Sequence, residues 1–177
     1  MPDAPDRLFH TAARTLSERF GAEMSRLYAD HRDLFTALTA AGHPLPDELR
    51  VTAQLALARR LEADFVALAG RYDRKTISSA LSIVAEAMEA GVDVDIEPVR
   101  VAATSAVEAL TRRATASGAA ADANAAASVL ELARHAHVGV DVARAQEAVY
   151  RSVAAGAARN AAFNRMATAL GIAPNAS

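Results

Sequence analysis

The histidines and paired acids are the residues whose spacing could support chemistry. The segment "ELARHAHVGVD" holds Glu131, His135 and His137. Glu131 and His135 lie one helical turn apart and would share a helix face, while His137 would point elsewhere. A di-metal carboxylate centre needs a Glu-x-x-His motif on each of two facing helices, and that spacing is absent from the chain. The histidines therefore read as polar or cationic side chains closing a helix C-terminus. In "DVDIEP", Asp93, Asp95 and Glu97 match the first, third and fifth positions of a calcium loop. The sixth position needs glycine and holds Pro98; the twelfth needs glutamate and holds Thr104. These acids read as helix capping.

Other chemistries fail on spacing. The glycines are isolated, so no phosphate-cradling loop forms, and no Gly-x-Ser-x-Gly elbow occurs. Glu86 and Glu89 sit on one helix with no carboxylate placed opposite, so a glycosidase pair is not assigned. The densest basic run, Arg71 to Lys75, suits either a phosphate or acidic partner or a solvated loop. The pairs Arg59–Arg60 and Arg112–Arg113 read as solvent faces. No catalytic, cofactor-binding or metal-ligating residue is assigned.

Composition narrows the class further. The 177 residues carry 19 basic and 21 acidic side chains, mixed along the chain, for a net charge of −2. That balance argues against nucleic acid. With no cysteine, disulfides and thiolate metal sites are excluded. The start has acids near Met1 and no apolar core, and it reads as neither signal peptide nor anchor. No stretch is apolar enough to span a bilayer. The expectation is a cytoplasmic protein without a membrane partner. Alanine makes up about a quarter of the chain. It favours helix and lets helices approach closely, with a few large residues anchoring the core.

Apolar spacing of three and four residues predicts an all-α antiparallel bundle of six to seven helices without a sheet. One domain covers residues 1–171, with a frayed tail at 172–177. The first helix runs from about Ala4 to Ala41, whole or broken near Asp30 to Asp33. It carries Phe9, Leu16, Phe20, Met24, Leu27, Leu34 and Leu38, and Gly21 marks a close helix contact. "AGHPLPDEL" is a junction: Gly42 ends one helix and Pro46 begins the next, which buries Leu57, Leu61, Phe65 and Leu68. The third helix, Asp73 to Ala90, is expected to bury Ile77, Leu81, Val84 and Met88. The fourth starts from an Asp95 cap and buries Val99, Ala103, Val107 and Leu110. A variable loop covers Ser117 and Gly118, with Asp122 as a cap. The fifth helix, Ala123 to His137, buries Val129, Leu130 and Ala133. The sixth follows an Asp141 cap and buries Ala145, Val149 and Val153. A seventh segment, joined to the sixth or separate, carries Phe163, Met166 and Leu170. Phe163 and Met166 either face a partner or close the bundle's end. The junctions at Gly42, Gly91 and Gly139 look alike, which shared helix-end chemistry explains without duplication.

Two stretches carry a family resemblance. "YADHRDLFTALTAAGHPLPDELRVTAQLALARRLE" holds Leu38, Gly42, Pro44, Leu45, Pro46, Leu49, Arg50 and Ala53 in a junction pattern. "LELARHAHVGVDVARAQEAVYRSV" holds Asp141, Val142, Ala145, Gln146 and Tyr150. In this order they resemble the C-terminal helical region of bacterial glycoside-hydrolase-family-57-like proteins carrying the domain of unknown function 3536. The chain departs from that pattern at Ala58, Glu147 and Val149. The resemblance implies a non-catalytic accessory helical domain, or a truncated remnant, linked to α-glucan metabolism. Its partner would be an α-amylase-like catalytic barrel. The alternative is a free-standing interaction module or homo-oligomer without a carbohydrate role.

Overall fold

Short turns fix where the helices of this chain end. The computed structural model describes residues 4–156 and 160–173. Among these there are eight helices and no strand. They are α1 (Ala4–Asp30), α2 (Arg32–Ala40), α3 (Asp47–Gly70) and α4 (Arg74–Ala90), then α5 (Glu97–Ser117), α6 (Ala120–His135), α7 (Ala143–Ala154) and α8 (Ala161–Ala169). The expected first helix is therefore two, divided at His31. Of the tail expected at 172–177, residues 174–177 lie outside the described residues, as does the join at 157–159; Ile172 is not frayed, since its N–H binds the Ala167 carbonyl and its side chain packs partly on the core. The helices pack largely on the next but one in the chain, α1 on α3, α3 on α5, α5 on α7 and α6 on α8, as well as in the pairs α3–α4 and α5–α6.

Four of these helices finish with one motif. After α2, α4, α6 and α8 an N–H reaches back five residues: His43 to Leu38, Val92 to Ala87, Val138 to Ala133 and Ile172 to Ala167, at 2.9–3.0 Å. The motif needs a left-handed residue just before that N–H. Gly42, Gly91 and Gly171 supply it, but after α6 the residue is His137, at φ 56°. Pro46 flanks α3 at ψ 149°, and Pro98 stands in the first turn of α5, as the proline rules require.

Parallel and antiparallel neighbours follow from the cross-links. Arg60 of α3 meets Glu86 of α4, while Gln54 meets the Asp93 carbonyl beyond α4, so these helices run antiparallel. Thr104 and Glu108 of α5 meet Asp141 and Arg144 in turn, so α5 and α7 run parallel. Helices α3 and α5 form the centre: α3 packs on α1, α4 and α5, and α5 packs on α3, α6 and α7. Leu57, Leu61, Phe65, Leu68, Val99, Ala103, Val107 and Leu110 are fully buried, as the spacing predicts. Nearly half of the buried apolar residues are alanines. Small side chains let these helices approach closely, so the core relies on backbone proximity as well as side-chain volume.

Several expectations are corrected. Helix α4 buries Ala80, Ile83, Val84 and Ala87, whereas Leu81 and Met88 are exposed. The contact face combines Ile83 and Val84 with the flanking alanines Ala80 and Ala87, one face of the helix set off from Leu81 and Met88. Asp95 does not cap α5: Ile96 flanks the helix, and the Asp95 carboxylate reaches Gly139 N–H and Arg100 at 3.0 Å. The expected variable loop is only Gly118 and Ala119. Asp122 lies inside the first turn of α6 and accepts from Ser117 Oγ. Asp141 does accept Ala143 N–H at the start of α7, and Asn160 caps α8 through Phe163 N–H. Phe163 and Met166 are buried and close the bundle's end.

The His137 cap generates a stability prediction. Left-handed backbone is unfavourable for a residue with a Cβ, so His137→Gly should stabilise the fold by about 0.5–1 kcal/mol. Thermal unfolding followed by circular dichroism should show a midpoint raised by about 2 °C. A lowered midpoint would mean that the imidazole contributes a contact outweighing the backbone strain.

Candidate functional site

A buried carboxylate organises the junction between α1 and α2. Glu86 projects from α4, and its side chain is only 10% exposed. Tyr28, in the last turn of α1, donates its hydroxyl to Oε1 at 2.7 Å. Arg32, the first residue of α2, donates Nε to Oε1 at 2.7 Å and Nη2 to Oε2 at 2.8 Å. Arg60, from α3, reaches Oε2 at 3.2 Å. Phe35 packs edge-on against the Tyr28 ring at 4.8 Å. One carboxylate thus ties together four helices, at the point where His31 interrupts the first two.

The electrostatics suit a clamp rather than an acid or base. Burial alone would raise the Glu86 carboxyl, but hydrogen bonds from Arg32 and Tyr28 and the charge of Arg60 outweigh it and hold the group below its ordinary value. Burial, with the bond to Glu86 adding to it, pushes the Tyr28 phenol well above its usual range. The bond to Glu86 also raises the Arg32 guanidinium. Near neutral pH the carboxylate stays ionised and the phenol stays protonated, so this cluster has no proton to exchange with a substrate.

What the clamp presents is an apolar seam. Gly21 and Tyr28 are the buried positions of α1. Gly21 lets the Arg59 side chain of α3 lie across the helix where a Cβ would stand. Phe9, Leu16, Phe20 and Leu27 are 73%, 69%, 54% and 39% exposed, and Leu34 continues the line on α2 at 52%. At 100° per residue the four on α1 fall on one stripe, about 110° around the helix from its buried face. Helix α1 therefore carries its large apolar residues on a side its own bundle leaves uncovered. The exposed apolar area is on the order of 500 Å², the upper range for a monomer surface.

The residues singled out by spacing are placed differently. Asp93, Asp95, His135 and His137 do share one pocket, with Met88, of about 400 Å³. Its carboxylates are engaged in the backbone: Asp93 accepts Asp95 N–H, and Asp95 accepts Gly139 N–H. Glu131 turns from His135 to Arg165 of α8 at 2.8 Å. Among the described residues no three histidine or carboxylate side chains are grouped to hold a metal. Arg71, Arg74 and Lys75 are exposed. Arg59 and Arg113, expected at solvent faces, are half-buried and donate to the Glu18 and Ala69 carbonyls. Spacing overlooked Tyr28 and Arg32, and the sequence signal for the clamp was slight: an aromatic and a cation on either side of a helix break. No helix among the described residues is long and apolar enough to cross a membrane.

Comparison with protein-family models, curated proteins and solved structures finds no match to this chain.

The clamp predicts a pH signature. A carboxylate held below its unfolded value adds stability that is present above that unfolded value. The contribution is lost as pH falls through the folded value. Wild type should therefore lose stability below about pH 4.5 more steeply than Glu86→Gln. Near neutral pH Glu86→Gln should cost about 2 kcal/mol, a figure that allows for the partial exposure of both arginines. Urea unfolding at several pH values checks both; parallel pH profiles would rule out an ionic clamp.

Proposed function

We propose that this chain is a non-catalytic accessory helical domain of a glycoside-hydrolase-family-57-like protein, packing on a catalytic barrel in α-glucan metabolism. The observation that carries the reading is the uncovered seam of Phe9, Leu16, Phe20, Leu27 and Leu34. It is long and apolar, and Glu86 fixes its Leu27–Leu34 end through Tyr28 and Arg32, as a permanent docking surface requires. The family comes from the resemblance in the Gly42–Ala53 junction and the Asp141–Tyr150 segment. The Glu86 cluster supports a non-catalytic role, because its carboxylate is spent on Tyr28, Arg32 and Arg60.

A second reading has an observation of its own. Phe9 and Leu16 are seven residues apart, as are Phe20 and Leu27 and then Leu34. This heptad interval suits a second helix of the same kind, and hence a homo-oligomer.

One set of measurements separates the readings. The chain should be a monomer by light scattering, leave maltooligosaccharides intact, and co-purify with the family-57-like barrel encoded by the same genome. Leu16→Glu with Phe20→Glu should abolish that association while leaving the helical circular dichroism spectrum unchanged, since both residues are exposed. A wild-type dimer converted to monomer by this double variant would favour the second reading. Hydrolysis of maltooligosaccharides by the purified chain would overturn the non-catalytic assignment.

A further inference from the structure

The parallel helices α5 and α7 enclose the largest concavity among those described, a groove of about 710 Å³. It opens because the facing positions beyond Glu108 and Arg144 are small: Ala116 on one helix, Ala148 on the other. Three guanidiniums line it, those of Arg112, Arg144 and Arg151, together with two carboxylates, Glu108 and Glu147. The charges do not cancel. Arg151 pairs with Glu147 at 3.3 Å along its own helix. Arg144 is 82% exposed and only grazes Glu108 at 4.0 Å. Arg112 is exposed, and its guanidinium makes no ion pair or hydrogen bond to any described residue. Ser152, at the same groove, carries a buried hydroxyl with no partner.

Each feature bears on the ligand. Arginine forks match the oxygens of a phosphate, and a free arginine between two loosely held ones leaves a surplus positive charge. Helix C-termini favour cations, which accounts for Arg151 in the last turn of α7. Arg112 stands more than a turn before the end of α5, so that explanation does not reach it. The volume is that of a small-molecule site, far larger than a single inorganic anion needs. Carboxylates beside guanidiniums accept hydrogen bonds from hydroxyl groups, which suits a ligand rich in hydroxyls. No aromatic side chain lines the groove, which disfavours a flat base.

We propose that the α5–α7 groove binds a phosphorylated polyol, such as a hexose monophosphate. Arg112 and Arg144 grip the phosphate, and Glu147 and Glu108 accept its hydroxyls. The site is independent of the α1 seam, on the opposite flank of the central helices, and stands or falls separately from the docking reading.

Calorimetric titration of the full chain with glucose 6-phosphate, inorganic phosphate and glucose tests it. Glucose 6-phosphate should bind in the millimolar range or tighter, inorganic phosphate at least tenfold more weakly, and glucose not measurably. Arg112→Ala should weaken glucose 6-phosphate at least tenfold without changing the unfolding midpoint, because the side chain has no partner to lose. Glu147→Gln should weaken glucose 6-phosphate but leave inorganic phosphate unchanged. No heat with glucose 6-phosphate, or equal affinity in wild type and Arg112→Ala, would overturn the assignment. Equal affinity for inorganic phosphate and the hexose phosphate would overturn its polyol half.

Discussion

The bond network around Glu86 is the constraint on which the rest depends. Most helices here are related by packing of small residues, which tolerates sliding. The carboxylate does not: it needs the hydroxyl of Tyr28, the fork of Arg32 and the tip of Arg60 at one point. A buried ion cluster adds little net stability compared with an apolar replacement, because desolvation offsets much of the attraction. Its effect is on geometry. A shift of α1–α2 would take both Tyr28 and Arg32 from a carboxylate that is 10% exposed and leave it Arg60 alone, so alternative registers of that pair are disfavoured. An alanine-rich bundle has particular use for such a fixed point, since few of its side chains have the size to lock a register by shape.

That composition also decides which faces are buried. In α4 the large residues Leu81 and Met88 lie outside while Ala80 and Ala87 lie inside with Ile83 and Val84. In α1 the division is sharper still: Gly21 and Tyr28 face the bundle, while Phe9, Leu16, Phe20 and Leu27 are exposed. Close approach wins when many short side chains line both helices, because the gain is spread over long stretches of backbone contact. The large apolar residues are then surplus to the domain's own core. The exposed seam follows from this packing mode rather than from a defect in it.

Legibility in the sequence tracked these same causes. Helix ends were readable, since glycine and proline act through local backbone geometry: Gly42, Gly91 and Pro46 stand where the dihedral rules put them. The stripes of α3 and α5 were readable because those helices lie at the centre, where large residues have nowhere to go but inward. On α1 the Gly21 contact was readable and the outward stripe was not, and on α4 Val84 was readable and Ala80, Ile83 and Ala87 were not, because hydrophobic spacing reports which residues avoid water and not which partner covers them. The clamp was hidden for a different reason. Tyr28, Arg32, Arg60 and Glu86 are separated by up to 58 positions and converge only through tertiary packing. The capping assigned to Asp95 failed because its carboxylate has a better offer from the Gly139 N–H of a distant turn.

These facts together separate two kinds of polar group. The first kind is spent within the fold: Glu86 with its three donors, Asp95 with Gly139 and Arg100, and the exposed Arg134 with the Ala169 carbonyl. Such groups stabilise one arrangement and have no capacity left for a substrate. The second kind, on α5 and α7, is outward and only loosely paired, with Arg112 in reserve. A guanidinium without a partner costs the fold little when solvent reaches it, so stability alone neither requires nor forbids its placement. The loosely paired charges on α5 and α7 are thus placed where solvent reaches them, and not by the needs of the core.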